Sequence, residues 1–428
     1  MNIPFIVSSI IFLVTFFFIL TEKIHRTVIA LLGGVLMIIL GTLFNFYSFE
    51  EAIHIIDFDT IILLFGMMVI VAVMEKTGFF QYLAIIAAKK TKGDPWKLVV
   101  ILGTVTTLLS LVLNNVTTII LIAPITIIIA RLIKISPSPI LMAEALLSDT
   151  GGVATLIGDP PNIIIGNAAS FSFNDFLTHS APIVFVAWLA TLFVLRFVYN
   201  KDLKKKPENI ESLLKMDEVR AIKDRSSLKK TLVVLFIVII LFFLSINPAL
   251  VALIGASLVL ILVSCHKDPQ PILKNIEWSI LLFFMALFVV VGGLEHAGVL
   301  SYLASLISNL AHNNIIIIAL IILWASAFMS AIVDNIPFTI AMVPVISYLE
   351  NQGVPVNLLW WSLVLGVGFG GNGTPIGSTA NLIVIAKSEQ TNHPITFREW
   401  LKTGSIAAFS TLMVASLAII LFSSFLEN

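Results

Sequence analysis

Two short polar motifs interrupt an otherwise apolar chain, and each occurs twice. Leu113-Asn114-Asn115-Val116-Thr117 returns 220 positions later as Val333-Asp334-Asn335-Ile336-Pro337. Gly158-Asp159-Pro160-Pro161-Asn162 returns 219 positions later as Gly377-Ser378-Thr379-Ala380-Asn381. In the first pair, Asn114, Asn115, Thr117 and Thr118 offer amides and hydroxyls, while Asp334, Asn335 and Thr339 add a carboxylate. Around the second pair stand Thr155, Gly158 and Asn162 in one copy, and Asn372, Thr374, Ser378, Thr379 and Asn381 in the other. Such groups bind a small polar solute by hydrogen bonds. Helix ends beside them offer N–H groups to anions and carbonyls to cations. Three acids belong to the set: Asp149, Asp159 and Asp334. A carboxylate at membrane depth needs a partner, a cation or a proton. These three are therefore read as coupling groups that exchange a proton against a cation, with the hairpin tips as sites for Na+.

Positioning these groups falls to long apolar segments. Of 428 residues, 58% are hydrophobic and 12% charged, against roughly 25% charged in a soluble domain. Runs of bilayer-crossing length fall at 4–20, 27–45, 59–75, 140–170, 180–199, 230–246, 248–264, 278–294, 357–390 and 404–425. Adjacent prolines break 140–170, and clustered glycines break 357–390. The stretches 97–134 and 313–349 carry the first motif near their middle and read as re-entrant hairpins, each of two short arms. The expected fold is all-α and polytopic, with two inverted-topology repeats at 1–199 and 231–428. Each repeat has five crossings, one of them a broken helix, plus one re-entrant hairpin. Further matches support the duplication: Thr77–Ala84 with Ala297–Ala304, and Glu75/Glu295, Ser110/Ser330 and Pro124/Pro344. The linker 200–230 reads as a solvated cytoplasmic segment with a surface helix around 207–224.

Charge placement sets the orientation. All 25 Lys and Arg residues fall in 21–26, 76–97, 131–139, 196–230, 265–275 and 387–402. The intervening loops 46–58 and 295–313 hold none. The positive-inside rule then puts the linker in the cytoplasm and both termini outside, in a multi-pass protein of the cell membrane. A net charge of zero gives no argument for nucleic acid. The lone Cys265 excludes an intrachain disulfide and a multi-thiolate metal site. No structural metal or resident cofactor is expected, only transported or coupling H+ and Na+. Enzyme activity is not expected, since the Gly-x-Gly-Asp signature of intramembrane aspartyl proteases is replaced by Leu156-Ile157-Gly158-Asp159.

At these motifs the chain resembles the ion-transporter superfamily, which includes arsenical-pump membrane subunits, NhaD-type antiporters, P-protein-like permeases and divalent-anion symporters. The stretch from Leu141 and Glu144 through Asp149-Thr150-Gly151-Gly152 to Ile157–Asn162 is most similar to the ArsB/NhaD branch. The resemblance covers essentially the whole chain. It implies a scaffold domain, an elevator-like transport domain built from the hairpins and broken helices, and for many relatives a homodimer through the scaffold. An ATPase partner cannot be inferred. The expected function is proton-coupled secondary efflux of a small inorganic solute, arsenite or antimonite by resemblance. The alternatives are Na+/H+ antiport and Na+-coupled di- or tricarboxylate transport.

Overall fold

The computed structural model describes residues 3–21, 23–264, 268–310 and 314–427; Cys265 lies outside them. The described residues are helical, with no strand among them, and nine helices are long and apolar enough to cross a bilayer. The first half opens with α1 (Ile3–Thr21) and α2 (Arg26–Leu43). Ser48 then starts α3 (Phe49–His54) through a reciprocal capping box with Glu51, and Asp57 caps α4 (Phe58–Lys76). Gly78, at φ +80°, turns the chain into α5 (Phe79–Lys90). The hairpin follows as α6 (Pro95–Ser110) and α7 (Asn115–Leu132). The broken helix is α8 (Ser138–Gly152) and α9 (Pro160–Ala169). A short α10 (Phe173–Asp175) runs through one π turn into α11 (Ala181–Val198).

The linker holds α12 (Ile210–Leu214), and the second half repeats the first. Its elements are α13 (Arg225–Phe243), α14 (Pro248–Ser264), α15 (Gln270–Leu273), α16 (Trp278–His296) and α17 (Val299–Leu310). The second hairpin is α18 (Ile315–Ile332) and α19 (Asn335–Asn351). The second broken helix is α20 (Asn357–Gly370) and α21 (Thr379–Ser388), and α22 (Phe397–Leu421) closes the repeat. The halves interlock: α2 packs on α16 and α14 on α4, while α7 meets α21 and α19 meets α9. Each pairing is the counterpart of the other.

Two readings of the sequence need correction. The hairpin arms are not short: 16 to 18 residues span about 24–27 Å, most of a hydrocarbon core. The matched segments Thr77–Ala84 and Ala297–Ala304 run into α5 and α17, helices that the span-length runs do not include. Nor does the linker carry one surface helix at 207–224. It forms α12 and isolated 3-10 turns that dock on the first hairpin's base. There Leu213 is buried, the Lys223 N–H donates to the Thr77 carbonyl at 2.8 Å, and the Glu208 N–H to Ile133 at 2.9 Å. Lys89 meets Glu218 at 2.6 Å. That hydrogen bond holds the Glu218 carboxyl below its usual range, so this carboxylate stays charged at neutral pH and its hold on Lys89 loosens as acid protonates it.

Candidate functional site

The two breaks are built alike. At the first, the Asn162 amide donates to the carbonyls of Gly152 (3.0 Å) and Thr155 (2.8 Å). At the second, Asn381 donates to Gly371 (3.0 Å) and Thr374 (3.1 Å). The Thr155 hydroxyl donates to Leu111 at 2.6 Å, tying the break to the tip of the first hairpin, and Thr374 does the same to Ala331. Helix-terminal carbonyls left free by the unwinding are thus satisfied by side chains. Glycine is needed where these backbones touch. A Cβ on Gly158 would press on the Gly152 carbonyl and stand 2.6 Å from that of Ser110, and one on Gly377 would stand 2.9 Å from that of Ser330.

Four helix N-termini converge here, those of α7, α9, α19 and α21. Their N-cap residues are Asn114, Asp159, Asp334 and Ser378. Asn114 Oδ1 accepts from the Thr117 N–H at 2.7 Å. Next to the caps, Asn115 and Asn335 lie against Gly152 and Gly371, with each amide oxygen 2.8–2.9 Å from where a Cβ would stand. Ser148 approaches Asn115 at 3.4 Å, and Ser330 hydrogen-bonds to Asn335.

The acids break this symmetry. Asp149, in the last turn of α8, is fully buried, and neither of its oxygens has a hydrogen-bond partner among the described residues. Asn115 and Ser378 are the polar side chains close enough to polarise it, as Asn335 is for Asp159. All three carboxylates lie within electrostatic range of one another. Their counterparts at the repeat interval are neutral: Gly368 for Asp149, Ser378 for Asp159 and Asn114 for Asp334.

The structure thus brings Asn115, Asp149, Asp159, Asp334, Asn335, Ser378 and Thr379 together. Other candidates spend their polar groups elsewhere. The Thr339 hydroxyl donates to its own helix at the Asn335 carbonyl, 2.8 Å. Asn372 donates to Leu146 and Thr150, leaving its oxygen without a partner. The buried Thr118 hydroxyl has no partner among the described residues either.

Sequence reasoning missed two charged residues. Arg26, the first residue of α2, pairs with Asp334 at 2.5 Å. Glu277, the N-cap residue of α16, accepts from the Thr117 hydroxyl at 3.1 Å. Both lie at span ends, where charge reads as interfacial. The signal that could have found Glu277 is its repeat counterpart Asp57, another acidic N-cap.

Two cavities lead inward from opposite ends of the scaffold helices. One, of about 350 Å³, passes Glu75, Asn275 and Glu277 and reaches Asn114 and Thr117. The other, of about 370 Å³, passes Asp57, Asp59 and Glu295 and stops at Ile340 and Pro344. They are counterparts, since Glu75/Glu295, Glu277/Asp57 and Ile120/Ile340 each keep the repeat interval. Among the described residues, neither is lined by Lys or Arg.

Comparison with known proteins gives this arrangement a family. A citrate transporter (CitMHS) family profile matches residues 16–366. An uncharacterized transporter of Mycobacterium tuberculosis is 37% identical over 422 residues, covering 96% of this chain and 97% of that protein. The human P protein is 32% identical over 470 residues, 90% of this chain and 56% of that protein. Among solved structures, the YdaH transporter of Alcanivorax borkumensis superposes with a TM-score of 0.61 over 94% of this chain and 99% of that one. At 12% identity, that is a likeness of fold alone. The profile match and the near-full-length identities together place the chain, a multi-pass membrane transporter, in the citrate transporter family.

Proposed function

We propose that this transporter exchanges protons for a cation, with Asp149, Asp159 and Asp334 as the groups that carry one or the other. The observation that carries this reading is the sign of the charge along the path. Among the described residues, five acids and no base line the two access cavities, and clefts of one sign concentrate the opposite ion. Inside, three carboxylates lie within electrostatic range of one another, and one of them, Asp334, pairs with a guanidinium. Such a cluster needs protons or cations for neutrality.

A neutral trihydroxide such as arsenite fits this geometry less well. Thr155, Asn162, Thr339, Thr374 and Asn381, which would bind it, already hold backbone carbonyls. One observation favours a second reading, a carboxylate carried together with a cation. The four converging N-termini contribute about half a positive charge each, which suits an anion once a cation shields Asp334. The family's description points the same way.

Purified protein in liposomes, with a pH-sensitive dye inside, separates the readings. Sodium, lithium, potassium or magnesium applied outside should drive proton release without citrate. Flux that requires citrate and a cation together would select the second reading, and a response to arsenite alone would sink both.

The placement of Lys and Arg along the chain supports an orientation. Both hairpin tips sit at scaffold ends read as cytoplasmic, Thr117 against Glu277 and Asp334 against Arg26. The site is then open to the cytoplasm and sealed from outside. In a Cys265→Ser background in whole cells, Glu50→Cys should react with a membrane-impermeant thiol reagent and Lys205→Cys should not. The reverse pattern would invert the topology.

A further inference from the structure

The Arg26 guanidinium is held three ways. Its Nη1 donates to Asp334 Oδ2 at 2.5 Å and to Thr379 Oγ1 at 2.9 Å, and its carbon lies 5.2 Å from the centre of the Phe283 ring. The Thr379 hydroxyl donates in turn to Asp334 Oδ2 at 3.0 Å. Glu277 is the further charge within range of Arg26. The contact therefore joins α2 to the tip of the second hairpin and to the start of α21, the second arm of the broken helix. Among the described residues it has no counterpart in the other half. Asn114 stands where Asp334 would, and Ile246 where Arg26 would. A strut required by the repeat fold would occur twice, and this one occurs once.

The chemistry also matters. A carboxylate oxygen and a threonine hydroxyl are hard oxygen donors, the kind of ligands a desolvated alkali or alkaline-earth cation takes. Arg26 already occupies that position with a permanent charge on a tether. Neither partner is freely solvated, the side chains being 27% and 16% exposed, so the pair is more than a screened surface contact.

We propose that Arg26 is a tethered competitor for the transported cation, filling the Asp334–Thr379 site when no cation is bound and latching the second hairpin to α2 until one displaces it. This rests on the cation reading above. It explains how an acidic site avoids returning empty: without cargo the hairpin stays tied to the scaffold.

Two measurements on the full-length protein test it. In Arg26→Gln without added cation, the backbone amides of 333–336, 338 and 339 should exchange hydrogen about tenfold faster than in the parent, on the scale of one lost charge-assisted hydrogen-bonded pair. In liposomes, the half-saturating concentration of the driving cation should fall about tenfold, because the competitor is gone. Arg26→Lys, which keeps the charge, should stay near the parent in both. Unchanged amide exchange overturns the latch, and an unchanged or higher half-saturating concentration overturns the competition. If the parent shows no cation-driven flux, the cation reading fails and the competition with it. The amide exchange still reports separately whether Arg26 holds the hairpin.

Discussion

Asp149→Asn is expected to reduce cation-driven proton release to the level of empty liposomes while leaving the protein at least as stable as its parent. The two halves of this outcome come from one fact. Asp149 is fully buried and its oxygens have no hydrogen-bond partner, so as a structural residue it is a liability. Burying an unpartnered polar group costs about 1–3 kcal/mol. An amide of the same shape can donate as well as accept, and the Asn115 and Ser378 side chains stand near enough to receive it. The melting temperature should therefore hold or rise by a few degrees. Transport needs what the amide lacks, a group that alternates between charged and neutral. Parental flux in Asp149→Asn would remove this residue from the mechanism. A collapse of thermal stability would recast it as a folding residue.

The second large effect is steric. Gly158→Ala and Gly377→Ala should each lower the melting temperature by several degrees and abolish transport. The added Cβ would meet backbone carbonyls, of Ser110 at 2.6 Å in one case and Ser330 at 2.9 Å in the other. Backbone cannot swing aside as a side chain does, so overpacking here should cost about 1–3 kcal/mol and push the hairpin away from the break. Gly353→Ala is the control. A Cβ there meets nothing within 4 Å, although φ is +81°, so only backbone strain of about 1–2 kcal/mol is added and transport should survive. Equal behaviour of all three variants would show that close approach at the breaks is not what glycine serves.

Much of this fold could be read before any coordinates. Polar residues inside hydrocarbon-length runs are costly enough to stand out. Repetition at a fixed interval marked the four places where α6 gives way to α7, α8 to α9, α18 to α19 and α20 to α21. What escaped notice did so for physical reasons. The helices α5 and α17 are 12 residues each, too short to cross, so a reading tuned to span length passed over them. The docking of the linker depends on contacts such as Lys89 with Glu218, across a sequence separation that no local pattern records. Arg26 and Glu277 were hidden because the positive-inside rule already explains charge at span ends. Once a charge has an adequate explanation, nothing in the sequence demands another. Only the packing of α2 and α16 against the tips shows where these two side chains go.

The neutral counterparts of the three acids bear on how such a protein could have arisen. In an assembly of two identical half-length chains around a shared site, every ionisable group appears in duplicate, so the total is always even. Three carboxylates against one guanidinium cannot be reached under that parity. Joining the halves in one polypeptide lifts the restriction, because each position can then mutate without its twin. Odd numbers of exchangeable charges, and so stoichiometries closed to the symmetric ancestor, become accessible to the fused chain.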